Sequence, residues 1–195
     1  MIRKAEIKRK TKETDIVASL CLDGSGKSDI DTGIGFFDHM LDCFTRHGLF
    51  DLTLKCKGDL NVDGHHTVED TGIVLGDAIK TALGAKEGIK RYGSFILPMD
   101  DALVLSAVDL SGRAYLSYDL KFFTDKCGEM ETALCREFFL ALTSNALINL
   151  HLRGLAGVND HHIMEAAFKS FAKSLREAVT PDDRISGVLS TKGTL

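Results

Sequence analysis

The stretch LKCKGDLNVDGHHTVED, residues 54–70, is followed later in the chain by a second version of itself, LHLRGLAGVNDHHIMEA, residues 150–166. The two segments align without a gap at a separation of 96 residues, which places Leu54 over Leu150. The two His-His pairs and the glutamates that follow them also coincide. Such a repeat predicts a chain that is built from two similar halves.

Secondary-structure patterns around the repeat agree with this duplication. Apolar residues at helical spacing predict one helix per half at 36–48 and 131–150, and a second at 66–83 and 162–179. Short apolar or alternating runs predict strands at 15–22, 49–56, 100–109 and 114–120. We therefore predict an α+β fold in which residues 1–90 and 91–195 are similar halves of one compact unit. Each half is a small, mainly antiparallel sheet with two helices.

Composition narrows the class of protein. The chain has 195 residues, 44% of them hydrophobic, which is enough for a large core. A net charge of −4 gives no support for nucleic-acid binding, and no stretch approaches the roughly 18 apolar residues of a membrane span. Five cysteines without a CxxC pair predict buried thiols rather than disulfides or a zinc knuckle. These features predict a cytosolic (cytoplasmic) protein without membrane or nucleic-acid partners.

Each repeat places a glutamate four residues after the first histidine of its pair. On a helix, residues four apart lie on one face, whereas neighbours are rotated by about 100°. His65 and Glu69 can therefore bind one metal ion, and His161 and Glu165 have the same spacing. The pattern differs from HExxH, in which the glutamate separates the histidines, so a zinc peptidase fits poorly.

The second histidine of each pair points away from the first, so the geometry predicts two metal centres. Our hypothesis assigns His162 to the centre of the first repeat and His66 to the centre of the second. His39 and His151 then bring each centre to three imidazoles and one carboxylate, with positions left open for catalysis. Spacing does not decide whether the partners come from one chain or from neighbouring chains.

Two other classes of protein stay open on the residues alone. One is a metal-binding or structural assembly protein that has this duplicated fold but no chemistry. The other is a metal-dependent hydrolase of a phosphate ester, which the same ligands can support. A single His-His pair is more often a surface or capping feature than a metal site, and it is the repetition that favours metal here.

Longer motifs give the chain a resemblance to a known family. It resembles imidazoleglycerol-phosphate dehydratase, an enzyme of histidine biosynthesis, over nearly its whole length. The motifs that support the resemblance are RKTKET (9–14), GIGFFDHML (33–41), GHHTVEDTGI (64–73), PMDDAL (98–103), DLSGR (109–113), NDHHIMEAAFK (159–169) and STKG (190–193).

The resemblance implies a metal-dependent lyase that removes water from imidazole glycerol phosphate to give imidazole acetol phosphate. It also implies two manganese ions (Mn²⁺) per active site, helices sandwiched between two sheets, and a homo-oligomer of 24 chains with sites between subunits. A deprotonated imidazole ring has two nitrogens that point in opposite directions, so the substrate ring can bind one metal ion at each nitrogen.

By the same resemblance, three glutamates are candidate catalytic residues: Glu13, Glu69 and Glu165. The implied metal ligands are His39, His65, His66, Glu69, His151, His161, His162 and Glu165. The implied substrate-binding residues are Glu13, Arg46, His47, Arg91, Arg113, Lys169, Ser190 and Lys192. Glu13 is the candidate for binding a hydroxyl group of the substrate, and Arg91, Arg113, Lys169, Ser190 and Lys192 are the candidates for the phosphate group, which requires cations or helix amides. For Arg46 and His47, an equal alternative is interaction with the C-terminal end of their helix.

Overall fold

The structure is a computed structural model that describes residues 2–195. Those residues contain ten strands: β1 (Lys4–Lys10), β2 (Thr14–Cys21), β3 (Ser28–Asp31), β4 (Asp51–Gly58), β5 (Tyr92–Met99), β6 (Ala102–Asp109), β7 (Tyr115–Asp119), β8 (Lys126–Cys127), β9 (Met130–Glu131) and β10 (Asn149–Ala156). The four helices are α1 (Gly35–Gly48), α2 (His65–Leu83), α3 (Leu134–Ala146) and α4 (Asp160–Val179).

Two four-stranded sheets have the same topology. Their strand orders are β1-β2-β4-β3 and β5-β6-β10-β7, and in each sheet only the last pair is parallel. Helices α1 and α2 pack on the first sheet and α3 and α4 on the second, while α2 also packs on α3 and α1 on α4. The helices therefore form a layer between the sheets. This confirms the predicted α+β fold with duplicated halves.

The helical layer forms most of the core. Aromatic rings from three of the helices meet there, with ring centroids 5.0–5.6 Å apart; the rings are those of Phe44, Phe138, Phe139, Phe168 and Phe171. All five are almost completely buried. Within residues 2–195, no helix is long and apolar enough to cross a membrane. The five cysteines are free thiols, as predicted, and four of them are buried.

Helices α2 and α3 approach each other closely at glycines of α2. A Cβ atom added at Gly76 would lie 2.6 Å from the backbone oxygen of Leu142, and one at Gly72 would lie 2.7 Å from that of Phe138. Neither glycine has a positive φ. Their role is therefore to let two backbones touch, which fixes the helix that begins at His65.

We expect Gly76→Ala to destabilise the protein although alanine favours helices. Alanine gains about 1 kcal/mol in helix propensity. Overlap with the backbone of Leu142 costs more, so we expect a net loss of ~1–2 kcal/mol in the free energy of unfolding, measured by urea denaturation. Gly35→Ala is the control, since a Cβ there meets nothing within 4 Å. Equal stability of the two variants would contradict the close approach.

The residue offset between equivalent positions of the two halves is not the same along the whole repeat. Leu49 and Leu147 both end their helices in the left-handed conformation, with φ of 54° and 53°, so this part of the repeat is offset by 98 residues. In the sheets, Leu54 pairs with Ala18 and the equivalent Leu152 pairs with Ser106. The ungapped match of Leu54 to Leu150 is therefore wrong. A connection shorter by two residues before α4 restores the 96-residue offset at the histidine pairs.

One predicted helix was too long. The prediction of 131–150 as helix is wrong at both ends, because α3 covers Leu134–Ala146 and the chain then turns into β10. His151 consequently lies on a strand. The edge strands β1, β3 and β5, together with β10, were not predicted. The division between residues 90 and 91 stays a prediction.

Candidate active site

Helices α1 and α4 bring together the first group of predicted ligands. The Nε2 atoms of His39 and His161 lie 3.3 and 3.1 Å from the same oxygen, Oε2, of Glu165. Phe36 packs edge-on against the His161 ring, with centroids 5.1 Å apart. Both imidazoles are about half exposed, whereas the Glu165 side chain is only 7% exposed. Two imidazole nitrogens and a carboxylate oxygen thus converge at the surface of the helical layer.

A lysine fixes the other oxygen of this carboxylate. Lys169, one turn further along α4, forms an ion pair with Glu165 Oε1 and is itself mostly buried. Burial raises the pKa of Glu165, but the hydrogen bond and charge of Lys169, together with His39, hold the pKa below its usual value. Glu165 is therefore an anion whose free oxygen points toward the two histidines.

Cys43 lies close to the same group. Its Sγ and the ligand atoms of His39 and Glu165 lie within 4.8 Å of one another. Burial, with a contribution from the charge of Glu165, raises the pKa of the Cys43 thiol to about 11. The thiol is protonated at neutral pH, so the available donors are imidazole nitrogens and carboxylate oxygens. Such donors fit Mn²⁺ as well as other divalent ions.

The first repeat presents a more open pair. His65 Nε2 lies 3.5 Å from Glu69 Oε2 in the first turns of α2, and both side chains are nearly half exposed. This is the spacing predicted for residues four apart on one helical face. Glu69 and Glu165 therefore occupy equivalent positions in different surroundings: Glu69 is nearly half exposed, and Glu165 is buried against a lysine.

The second histidine of each pair is held by an aspartate. His66 Nδ1 lies 3.1 Å from both oxygens of Asp59, and His162 Nδ1 lies 2.6 Å from Asp101 Oδ1. On the other side of the ring, His66 Nε2 lies 3.8 Å from Glu13. The structure thus brings Glu13, predicted from its motif alone, next to a predicted metal ligand.

The position of Glu13 depends on a buried anchor beneath its hairpin. Glu13 lies in the turn between β1 and β2, and Arg9 and Thr14 on either side both donate hydrogen bonds to Asp70 of α2. Asp70 is buried. The backbone N–H of Asp59 also donates to the Glu13 carbonyl at 3.1 Å. The turn is thereby fixed over the start of α2.

The structure does not bring His151 to the other ligands within one chain. His151 lies on β10 between the buried Leu150 and Leu152, so its side chain is on the outer face of the second sheet. Its ring centroid is 5.7 Å from that of Tyr115 on the neighbouring strand.

Four of the predicted phosphate-binding residues line one cleft. The cleft has a volume of about 770 Å³ and lies between β5 and the C-terminal segment; Arg91, Arg113, Ser190 and Lys192 line it, with Arg184. Arg91 is anchored through Asp109 and the Leu189 carbonyl. Arg113 and Lys192 are exposed. These positive charges make the cleft suitable for an anion.

Two further predicted substrate residues, Arg46 and His47, lie in the last turn of α1. Arg46 is exposed at the end of α1. Burial lowers the pKa of the adjacent His47, and the charges of Lys169 and Lys173 lower it further. A neutral imidazole interacts only weakly with the C-terminal end of a helix, so this alternative is weakened for His47.

Sequence reasoning assigned no role to Asp59, Asp100 or Asp101. The last two form the tip of the β5–β6 hairpin, where Asp100 Oδ2 lies 3.5 Å from His162 Nε2. The sequence offered two signals for these residues: Asp100 and Asp101 are adjacent carboxylates between two strands, and Asp59 precedes His66 by seven residues. Only the fold shows which histidine each aspartate meets.

Known proteins share this sequence and fold. The family model for imidazoleglycerol-phosphate dehydratase matches residues 32–175. Imidazoleglycerol-phosphate dehydratases of Acetivibrio thermocellus and Lachnoclostridium phytofermentans are 61% and 62% identical to the chain, and each alignment covers all of both chains. The chain belongs to the imidazoleglycerol-phosphate dehydratase family.

Solved structures of the family agree with this assignment. The dehydratase of Staphylococcus aureus superposes with a TM-score of 0.83 at 36% identity, covering 92% of this chain and 99% of that one. The Pyrococcus furiosus protein gives 0.83 at 38% identity, covering 97% and 100%. Imidazoleglycerol-phosphate dehydratases are hydro-lyases, so the chain is an enzyme, and its dehydratase activity belongs to histidine biosynthesis.

Proposed function

We propose that the enzyme dehydrates D-erythro-imidazole glycerol phosphate to imidazole acetol phosphate at a site with two Mn²⁺ ions. The observation that supports this most directly is the convergence of His39, His161 and Glu165 on one point between α1 and α4. The spacing of His65 and Glu69 repeats this arrangement at the start of α2. Imidazole and carboxylate donors on two equivalent helices are consistent with two ions of one kind.

Residues for both ions are available on this chain. His39, His161 and Glu165 would hold one ion, and His65 with Glu69 would hold the other, each completed by His66, His162 or His151. Bound there, the ions would supply Lewis-acid stabilisation of negative charge on the substrate ring. Lys169 fixes Glu165 in its ionised form, which keeps this ligand ready to bind.

Glu13 is the candidate for moving a proton. The reaction requires a carbon-bound proton to leave and the neighbouring hydroxyl group to depart as water. Glu13 is about half exposed, lies 3.8 Å from His66 Nε2, and is held in place by its anchored hairpin. A carboxylate in this position can accept or return a proton, or bind the departing hydroxyl.

The basic cleft would bind the phosphate group. Arg91, Arg113 and Lys192 supply positive charge and Ser190 a hydroxyl, which is the chemistry that a phosphate requires. The cleft contains four of the predicted phosphate-binding residues but none of the predicted metal ligands. The phosphate end and the imidazole end of the substrate would therefore be bound by different groups of residues.

We also propose that the active site is assembled from more than one chain, in a homo-oligomer of 24 chains. His151 lies on an outer sheet face, where only another chain can bring ligands to it. A location in the cytoplasm, with the small phosphorylated substrate as the only other partner, completes the proposal.

Turnover of the substrate itself tests the proposed reaction. We expect imidazole acetol phosphate to form in a one-to-one ratio with substrate consumed, without release of inorganic phosphate, and only after Mn²⁺ is supplied. Release of phosphate would favour a phosphate-ester hydrolase. Metal binding without any turnover would favour an assembly protein that lacks the chemistry.

The pairing of histidines between the two centres gives a separate prediction. We expect His65→Ala and His162→Ala to deplete the same ion, and His66→Ala to deplete the other, because adjacent residues on a helix point in different directions. Metal content per chain and Mn²⁺ affinity measure this. Loss of both ions to the same extent in all three variants would contradict the pairing.

A further inference from the structure

The second histidine of each pair makes the same contact in both halves. Nδ1 of His66 lies 3.1 Å from the Asp59 carboxylate, and Nδ1 of His162 lies 2.6 Å from Asp101. Neither first histidine, His65 or His161, uses its Nδ1 in this way; each turns Nε2 toward the glutamate four residues on. The aspartate contact therefore distinguishes the second histidine from the first.

The two aspartates are not equivalent positions of the repeat. Asp59 belongs to the connection between β4 and α2. The extra residue in β10 between Gly154 and Ala156 shifts the register there by one, which places Val158 at the corresponding position. Asp101 lies at the tip of the β5–β6 hairpin. The equivalent hairpin of the first half is β1–β2, and the residue in the same position there is Glu13. Each half thus reaches the same imidazole nitrogen with a carboxylate from a different segment.

This contact determines which nitrogen of the ring is free. A neutral imidazole has one N–H and one lone pair, and a carboxylate without a proton can only accept. With Nδ1–H donating to the aspartate, the lone pair is on Nε2, which faces away toward Glu13 in one half and Asp100 in the other. Metal ions bind the lone pair of a neutral imidazole.

We propose that Asp59 and Asp101 are positioning residues that hold His66 and His162 with Nδ1 protonated and Nε2 directed to a metal ion. The inference rests on the proposed dinuclear function. It adds the residues that select the tautomer and fix the orientation of one ligand at each centre. Removing a hydrogen-bond partner of a metal-binding histidine typically lowers metal affinity by about 10–100-fold.

Asp59→Asn is the sharper test, because within residues 2–195 the Asp59 carboxylate forms hydrogen bonds with no side chain other than that of His66. An amide can accept from Nδ1–H or donate to a bare Nδ1, so the preference for one tautomer is lost. We expect one of the two Mn²⁺ sites to weaken by at least about tenfold, with the other unchanged, in titrations of the metal-free assembled protein.

Asp63→Asn is the matched control. This substitution removes the same charge from the same loop. The Asp63 carboxylate, however, accepts a hydrogen bond from the backbone N–H of His65 and not from a ring nitrogen. Asparagine is as good as aspartate at the start of a helix. We expect both Mn²⁺ affinities of this variant to lie within about twofold of the original protein.

A spectroscopic readout separates positioning from a general structural role. In metal-free protein with ¹⁵N-labelled histidine, solid-state NMR should show His66 mainly with Nδ1 protonated, and Asp59→Asn should shift it toward the other tautomer. The His66 signal is identified by its loss in His66→Ala. An unchanged tautomer, or affinities in Asp59→Asn that match those of Asp63→Asn, would overturn the proposal.

Asp101→Asn should weaken the other Mn²⁺ site. The second oxygen of Asp101, Oδ2, also accepts hydrogen bonds from the backbone N–H groups of Val158 and Asn159. The folding and assembly of this variant are therefore measured alongside its Mn²⁺ affinity. If the original protein binds no Mn²⁺ at all, the proposed function fails. If it binds two ions and Asp59→Asn binds them equally well, only the positioning inference fails.

Discussion

Glu165→Gln is expected to lower kcat/KM by about 10³-fold, the loss that corresponds to several kcal/mol of charge stabilisation by a bound metal ion. The amide keeps the shape of the side chain but removes its charge, so the point where His39 and His161 converge loses its anionic donor. Lys169 is also left mostly buried beside a neutral group. Steady-state kinetics at saturating Mn²⁺ and metal analysis of the same sample measure both effects.

The corresponding control lies on the same helix. Glu177→Gln makes the same chemical change about three helical turns further along α4. The Glu177 side chain accepts a hydrogen bond from the Ser94 N–H and is not one of the proposed ligands. We expect its kcat/KM to stay within about twofold of the original value, because no charge near the ligands changes. Similar losses in both variants would mean that the effect of Glu165→Gln comes from the stability of α4 rather than from the metal centre.

Lys192→Ala is expected to raise KM by about 10–100-fold with little change in kcat, since a hydrogen bond to a charged group contributes about 1.5–3 kcal/mol. Lys192 is exposed in the basic cleft, so its removal leaves the fold intact. Arg91 is less suitable for this test, because it also holds Asp109 and the Leu189 carbonyl. Initial rates over a wide range of substrate concentration separate KM from kcat.

Two further variants make this result specific. Lys192→Arg keeps the charge and should recover most of the affinity. Lys121→Ala removes a lysine outside the cleft and should leave KM unchanged. If Lys192→Ala has the KM of the original enzyme, the cleft is not where the phosphate group binds.

Much of the fold could be predicted from local patterns. Helices α1, α2 and α4 were predicted nearly to their ends, because their apolar residues recur at helical spacing and a histidine pair begins each second helix. Edge strands gave weaker signals: Lys4–Lys10 has only two uncharged residues in seven, and Ser28–Asp31 has one apolar residue in four. Such strands form because a neighbouring strand offers hydrogen bonds, and a single segment does not show this.

The candidate site was predictable only within single helices. Spacing alone paired His65 with Glu69 and His161 with Glu165, since residues four apart share a helical face. It could not show that α1 packs on α4, which places His39 at Glu165, nor that the C-terminal segment returns to Arg91 to form the cleft. These are contacts between distant parts of the chain, and they depend on how the helices and sheets pack.

Metal content per chain is the measurement that tests the dinuclear centre most directly. Untagged protein, purified without chelator and reconstituted with Mn²⁺, would be analysed by mass spectrometry while dehydratase activity is followed on the same sample. We predict about two ions per chain, with activity lost on chelation and restored by Mn²⁺. A folded and assembled protein that binds no metal, or that keeps its activity after chelation, would contradict the role proposed for both histidine pairs.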